Sequence, residues 1–289
     1  MYQLKNNRLK IEVQEPGNLY QGSRFDWTGF VTQITLDDCI SYCVPERLEH
    51  GKGTGGLGFC NEFGIDLPLG YDTTATGDFF PKIGVGLLKK KVDTPYDFFN
   101  PYDVSPATVE VEQHPESLTF ETAIKNAHGY GYHLFKALSL KDNKLVFEYR
   151  LINTGSHTIK TNEYSHNFIG INNQTVSEDY QLTFPGLRSF DLSVGKMSQS
   201  HEQLTWPVTP DGDFYAKIVS DNEPASFIWD LFHRRVGAGV RASSDFRPTK
   251  IALWGRSHVI CPEVFFDIHL QPNEEISWQR VYEFYQTNA

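Results

Sequence analysis

Two segments far apart in the chain carry residue types suited to moving protons at neutral pH. In Thr161-Asn162-Glu163-Tyr164-Ser165-His166-Asn167-Phe168-Ile169-Gly170-Ile171, strand alternation puts Tyr164, His166 and Phe168 on one side and Glu163, Ser165 and Asn167 on the other. A histidine between two aromatics donates and accepts protons if it faces a cavity, and is equally a hydrogen-bonded core residue if it does not. Nearly a hundred residues later, Val259-Ile260-Cys261-Pro262-Glu263-Val264-Phe265-Phe266 sets one carboxylate inside an apolar run. Burial raises a carboxyl pKa toward values useful to a general base, although a buried carboxylate also serves in structural ion pairs. Pro262 has no backbone donor, which predicts an edge or a strand break there rather than a central ladder position.

The elements that must position these groups are strands. Many segments alternate apolar and polar residues at period two, aromatic content is 14%, and helical signals are scarce. The pattern predicts strands at 8–13, 108–112, 117–123, 144–152, 158–172, 180–184, 214–219, 226–229, 236–242, 250–254, 259–270 and 276–285, most of them closed by Gly, Pro, Asn or Asp turns. A dozen such strands without a low-complexity linker predict an all-β fold, a large antiparallel β-sandwich forming one domain over 1–289. Glycine crowds the stretch from Gly51 to Gly86, which reads as long loops, the kind of segment that carries chemistry on a rigid frame.

Charge and cysteine usage narrow the function. With 289 residues the chain is long enough for an enzyme-sized core, and its formal charge of −10 opposes binding to nucleic acid or anionic lipid. No run is long and apolar enough to span a membrane, and the first residues lack the apolar core of a signal peptide, so a soluble, cytoplasmic protein is expected. Cys39, Cys43, Cys60 and Cys261 form no C-x-x-C pair and read as reduced thiols; a zinc site from Cys39, Cys43 and His50 lacks a fourth ligand and a tight first pair. The run Lys89-Lys90-Lys91 reads as a solvated face.

Considered together, the two proton-moving segments resemble the aldose 1-epimerase (galactose mutarotase-like) superfamily, nearest its hexose-6-phosphate 1-epimerase-like branch. His166-Asn167-Phe168-Ile169 is similar to the family's catalytic-histidine strand. The family's catalytic glutamate matches Glu263, and His269-Leu270-Gln271-Pro272-Asn273-Glu274 is similar to the turn that follows it. Upstream, Gly55-Gly56-Leu57-Gly58-Phe59-Cys60-Asn61-Glu62-Phe63-Gly64 resembles the family's Gly-Gly loop, and the motifs keep the family's order. The phosphosugar branch has an Arg before the Gly-Gly pair where this chain has Thr54.

The resemblance implies a mutarotase with Glu263 as general base on the anomeric hydroxyl and His166 as general acid on the ring oxygen. It also implies sugar contacts from Asp213, Lys82, Glu62, His50 and Arg24, although Arg24 suits an ion pair with Asp26 or another acid, and Asp213, Lys82 and His50 suit solvated positions. The chemistry needs no metal, nucleotide or other cofactor. The expected partner is a small-molecule sugar, with no nucleic acid and no membrane, and a homodimer is left open. The competing readings are a non-catalytic carbohydrate-binding or sugar-sensing protein on the same fold, and a different carbohydrate enzyme such as a lyase or isomerase.

Overall fold

Period-two alternation builds strands, and the protein is almost entirely antiparallel strand in a computed structural model that describes residues 1–221 and 227–287. Two single turns, Tyr71–Thr73 and Ile171–Asn173, are the helical parts among the described residues. One ten-stranded sheet has at its centre, in spatial order, Val31–Leu36, Phe59–Phe63, Ile159–Asn167, Val259–Leu270 and Lys250–Arg256. The centre of a second ten-stranded sheet runs Ala238–Ser244, Glu275–Gln286, Lys144–Asn153, Tyr130–Lys141 and Ser117–Ala127. Their apolar faces meet in one core, where Phe59 packs edge-on to Tyr282 at 4.9 Å and Tyr42 to Phe284 at 4.8 Å. The architecture is the large antiparallel sandwich that the alternation predicts.

The first sheet is buried on both faces around Ile159–Asn167. Glu163 and Ser165 face the second sheet, where Arg280 hydrogen-bonds to both. On the opposite face, a three-stranded sheet (Phe79–Lys82, Gly86–Lys89, Val104–Pro106) and its loops supply a second apolar cluster, in which Phe80 and Leu88 join Cys60, Phe168 and Cys261. Tyr164 and His166 belong to this covered face.

Several sequence expectations change here. The glycine-rich stretch is not only loop, since it contains Phe59–Phe63, a central strand whose five residues are all buried and which therefore shows no alternation. Tyr130–Lys141 is a twelve-residue strand the pattern did not predict, and the strand expected over 158–172 ends at Asn167. The strand expected at 226–229 is observed as Trp229–His233, and Ser226 lies outside the described residues. Lys90 is not solvated: it is buried, with Nζ 3.3 Å from the Tyr71 carbonyl and 4.6 Å from the Tyr71 ring centroid. Its neighbours on either side turn outward, and an amphipathic stem lets the ammonium sit against an aromatic face. No helix among the described residues is long and apolar enough to cross a membrane.

Candidate active site

Strand register makes the central pair. Ile159–Asn167 runs antiparallel to Val259–Leu270 from the Ile159–Leu270 pair to Ser165–Val264, and an isolated bridge between Ile169 and Ile260 keeps the same register. His166 therefore stands opposite Glu263, and its Nε2 lies 3.3 Å from Glu263 Oε1. Pro262 occurs in a central strand, contrary to expectation. It is tolerated because it falls between the Ser165–Val264 and Ile169–Ile260 pairs, where the ladder toward Ile159–Asn167 is interrupted. The interruption that accommodates proline lies beside the pair.

The imidazole is held by aromatic rings. It stacks on Phe168 at 4.3 Å and meets Phe25 and Trp254 edge-on, each at 5.7 Å. Gly56 permits this: a Cβ at that position would lie 2.2 Å from the Phe168 ring. Gly56 N–H and both Thr54 donors converge on Glu46 Oε2, which fixes the Gly-Gly loop. His166 Nδ1 is buried and has no hydrogen-bond partner among the described residues.

Burial pushes the two partners in opposite directions. Desolvation raises the Glu263 carboxyl to about 7, against the opposing pull of Arg24, so acid and carboxylate coexist near neutrality. Desolvation, with help from Arg24, holds His166 well below the ordinary histidine range. The pair therefore holds one proton below about pH 7, on Glu263 rather than on the imidazole, and its titrations belong to the pair.

Arg24 is anchored from below. Its Nε donates to Glu62 Oε2 at 2.9 Å, one terminal nitrogen to Thr54 Oγ1 at 3.0 Å and the other to the Tyr164 hydroxyl at 2.9 Å. Tyr164 in turn donates to Glu62 at 2.7 Å, and Lys82 Nζ reaches the other Glu62 oxygen at 2.9 Å and the Tyr96 hydroxyl at 3.1 Å. The acid partner of Arg24 is thus Glu62, not Asp26.

These groups bound a cavity of about 470 Å³, a common size for a small-molecule site. His166, Glu263 and Arg24 line it, with Tyr96, Phe98, Phe99, Tyr215, Trp254 and Phe265 as aromatic walls. Carboxylates outnumber cations in the lining: Glu46, Asp66, Asp97, Asp213 and Glu263 against Arg24, Arg47 and Lys250. Asp213 sits at the rim, where both terminal nitrogens of Arg47, at 2.9 and 3.0 Å, and Arg256 Nε at 2.9 Å converge on its carboxylate. A larger cavity, about 680 Å³, lies against strands of the second sheet and includes neither His166 nor Glu263.

Three expected sugar contacts are not in this lining. Glu62 is completely buried and Lys82 nearly so, because each spends its charge on the network beneath Arg24. His50 is exposed in the turn before Gly51. No group of three His, Cys, Asp or Glu side chains among the described residues has the arrangement of a metal site, and all four cysteines are free thiols.

No family model and no curated protein sequence matches the chain. Solved structures do. The Slr1438 protein from Synechocystis sp. PCC 6803 superposes with a TM-score of 0.64 at 14% identity, covering 99% of this chain and 96% of that one. A galactose mutarotase-like protein from Lactobacillus casei ATCC 334 gives 0.58 at 14% identity, with 99% and 100% covered. A GalM/aldose epimerase homologue from C. elegans gives 0.54 at 11% identity, with 99% and 98% covered. The chain has the galactose mutarotase-like fold.

On the mutarotase-like fold of this chain, Arg47, Glu46, Asp66, Lys250, Trp254 and the Tyr96–Phe99 run are lining residues that sequence reasoning did not single out. The consecutive aromatics Phe98 and Phe99 between Asp97 and Asn100 were the available signal, since large apolar side chains in a polar loop need a reason to be there. Phe98 covers the Arg24 guanidinium at 4.2 Å, and Phe99 stays exposed.

Proposed function

We propose that the protein is an aldose 1-epimerase that interconverts the α and β anomers of a neutral hexose by acid/base ring opening. One observation carries the reading: His166 Nε2 and Glu263 Oε1, 3.3 Å apart, line one aromatic-walled cavity. Glu263 removes the proton from the C1 hydroxyl as the C1–ring oxygen bond breaks, and His166 delivers a proton to the ring oxygen. The C1 oxygen becomes the aldehyde carbonyl. Rotation about C1–C2 presents the other carbonyl face, and the reverse transfers close the ring and restore the pair.

The pair's single proton suffices: it passes from Glu263 to His166 across their 3.3 Å contact, His166 delivers it to the ring oxygen, and Glu263, then a carboxylate, takes the proton of the C1 hydroxyl. Burial favours the neutral imidazole with the protonated carboxyl, so the imidazolium–carboxylate form that reacts is the minor one of the pair's two one-proton forms. Aromatic walls suit the apolar faces of a pyranose, and the carboxylates suit its hydroxyl donors.

A neutral sugar is favoured over a phosphosugar. Thr54 stands before the Gly-Gly pair, and although Arg24 reaches the Thr54 hydroxyl, its other nitrogens are engaged by Glu62 and Tyr164. That leaves no free guanidinium fork at the loop. Magnetisation transfer between the α and β anomeric protons, measured by NMR with and without protein, tests the proposal. Exchange at the buffer rate with sugar bound rejects catalysis and leaves a binding protein.

A further inference from the structure

The cavity lining contains an ion pair that the proposed reaction does not use: Lys250 Nζ pairs with Asp66 Oδ2, and both residues line the cavity together with Glu263. Strand register explains the placement. Lys250–Arg256 runs antiparallel to Val259–Leu270, with Lys250 opposite Phe265 and Ala252 opposite Glu263. Residues two apart share a face, so Lys250 and Ala252 lie on the face that carries Glu263. Lys250 is thus the diagonal neighbour of Glu263, about 7–8 Å away between backbones and within reach of a long side chain, while Ala252 adds only a methyl group beside the carboxyl.

We propose that Lys250 is a positioning residue for the negative charge of Glu263, and that Asp66 limits how strongly Lys250 acts. The effect on rate rests on the epimerase reading; the effect on the Glu263 carboxyl does not.

Both members of the ion pair are held in place. The Lys250 ammonium sits 3.7 Å from the Phe265 ring centroid, and that ring stacks on Tyr164 at 4.5 Å. Asp66 accepts from Asn162 Nδ2 at 3.2 Å, so the acid is tied to the strand that carries His166. Glu263 is also faced by His166 and Tyr164, by Arg24 and Glu62, and by Tyr215 from Phe214–Ser220. On its own strand Cys261 is a buried neutral thiol and Asp267 is exposed, while Glu46, Arg47, Asp97 and Asp213 complete the charged lining. Arg24 is spent on Glu62 and Tyr164, and Arg47 on Asp213. Among the described residues, Lys250 has Asp66 as its one ion-pair partner.

An ammonium at this place favours the carboxylate over the carboxyl, and Asp66 opposes it. Burial makes the imidazolium–carboxylate form of the His166–Glu263 pair the minor one, so Lys250 raises and Asp66 lowers the population of the form that opens the ring. Both side chains are partly exposed, at 37% and 54%, so removing either leaves no buried charge unpaired.

The test follows the Glu263 carboxyl by NMR in protein carrying carbon-13 at its glutamate side-chain carboxyls, the signal being identified by its loss in Glu263→Gln. Lys250→Met should raise the midpoint of that titration by about 0.5–1 in pH, and Asp66→Asn should lower it by a similar amount. Lys250→Arg, which keeps the charge, should leave it in place, and the double variant Lys250→Met/Asp66→Asn should return it close to the wild-type value. In Lys250→Met the kcat for anomer exchange at pH 6 should fall about 3–10-fold, the same shift expressed as a population. Midpoints unmoved in both single variants overturn the proposal, as does a shift of the same sign in both. A raised KM for glucose and galactose with the midpoint in place also overturns it, because Lys250 would then be a sugar contact. Opposite shifts in a protein that does not exchange anomers support the role of the ion pair and reject the epimerase reading. Exchange with unmoved midpoints does the reverse.

Discussion

His166 and Glu263 face each other across two adjacent antiparallel strands, with Nε2 of one 3.3 Å from Oε1 of the other, beside a proline that interrupts the ladder. The relationship fixes a pH dependence. Glu263 is raised to about 7 and His166 is lowered, so the pair keeps one proton below about pH 7 and loses it above. Ring opening requires that proton. kcat/KM should therefore be level from about pH 5.5 to 6.5 and fall as pH rises through about 7. A rate that climbs through pH 7 would show that a deprotonated Glu263 works without His166 as acid.

The same burial costs stability. The folded-state pKa of Glu263 is about 7 against an ordinary 4.5, so the folded protein binds this proton more tightly than the unfolded chain does. The group's contribution is therefore fully present below about pH 4.5 and is lost as pH rises to 7 and beyond, a swing of roughly 3 kcal/mol. Glu263→Gln removes the ionisation. Urea denaturation at pH 5 and pH 8 should show the variant gaining by up to that amount relative to wild type at pH 8, and by much less at pH 5. A gain that is the same at both pH values contradicts the burial argument.

The network beneath the cavity gives a prediction of opposite sign. Glu62 is the carboxylate between Arg24 and Lys82, and all three are buried. Glu62→Gln leaves two cations without their counter-ion, which costs about 3–5 kcal/mol when one partner of a buried ionic group is removed. The denaturation midpoint should fall accordingly. A change below about 1 kcal/mol would mean that water reaches the network.

Much of this arrangement was legible in the sequence where one face of a strand meets solvent or a loop. Glu275–Gln286 was readable from its alternation, Val259–Leu270, whose first seven residues are all buried, from its long run of β-branched and aromatic residues and the turn after it, and period-two geometry put Tyr164, His166 and Phe168 on one side. Phe59–Phe63 was not readable, because a strand buried on both faces loses its period. Tyr130–Lys141 starts from His128-Gly129-Tyr130-Gly131, whose glycines look like a turn extending further than it does. Lys82 and Glu62, expected as sugar contacts, lie in the ion-pair network with Arg24 and not in the cavity lining. Sequence gives the faces of a strand, whereas only the packed structure tells which ion pairs consume a charge before a ligand can use it.

Ligand charge supplies another check. The cavity lining is richer in carboxylates than in cations, and Arg24 is already committed to protein partners. kcat/KM for glucose and galactose should be within tenfold of the values for their 6-phosphates at one ionic strength. A phosphate preference above tenfold, or about 1.4 kcal/mol of extra transition-state stabilisation, would assign phosphate recognition to another basic group.

The most direct measurement is the optical rotation of freshly dissolved α-glucose and α-galactose as each relaxes to anomeric equilibrium. Wild-type protein should accelerate the decay in proportion to its concentration. His166→Asn and Glu263→Gln should each slow it by about 10²–10⁴-fold while sugar binding, followed by calorimetry, survives. Decay at the buffer rate with wild-type protein, or undiminished rates in both variants, would contradict the assignment of this pair as the machinery of ring opening.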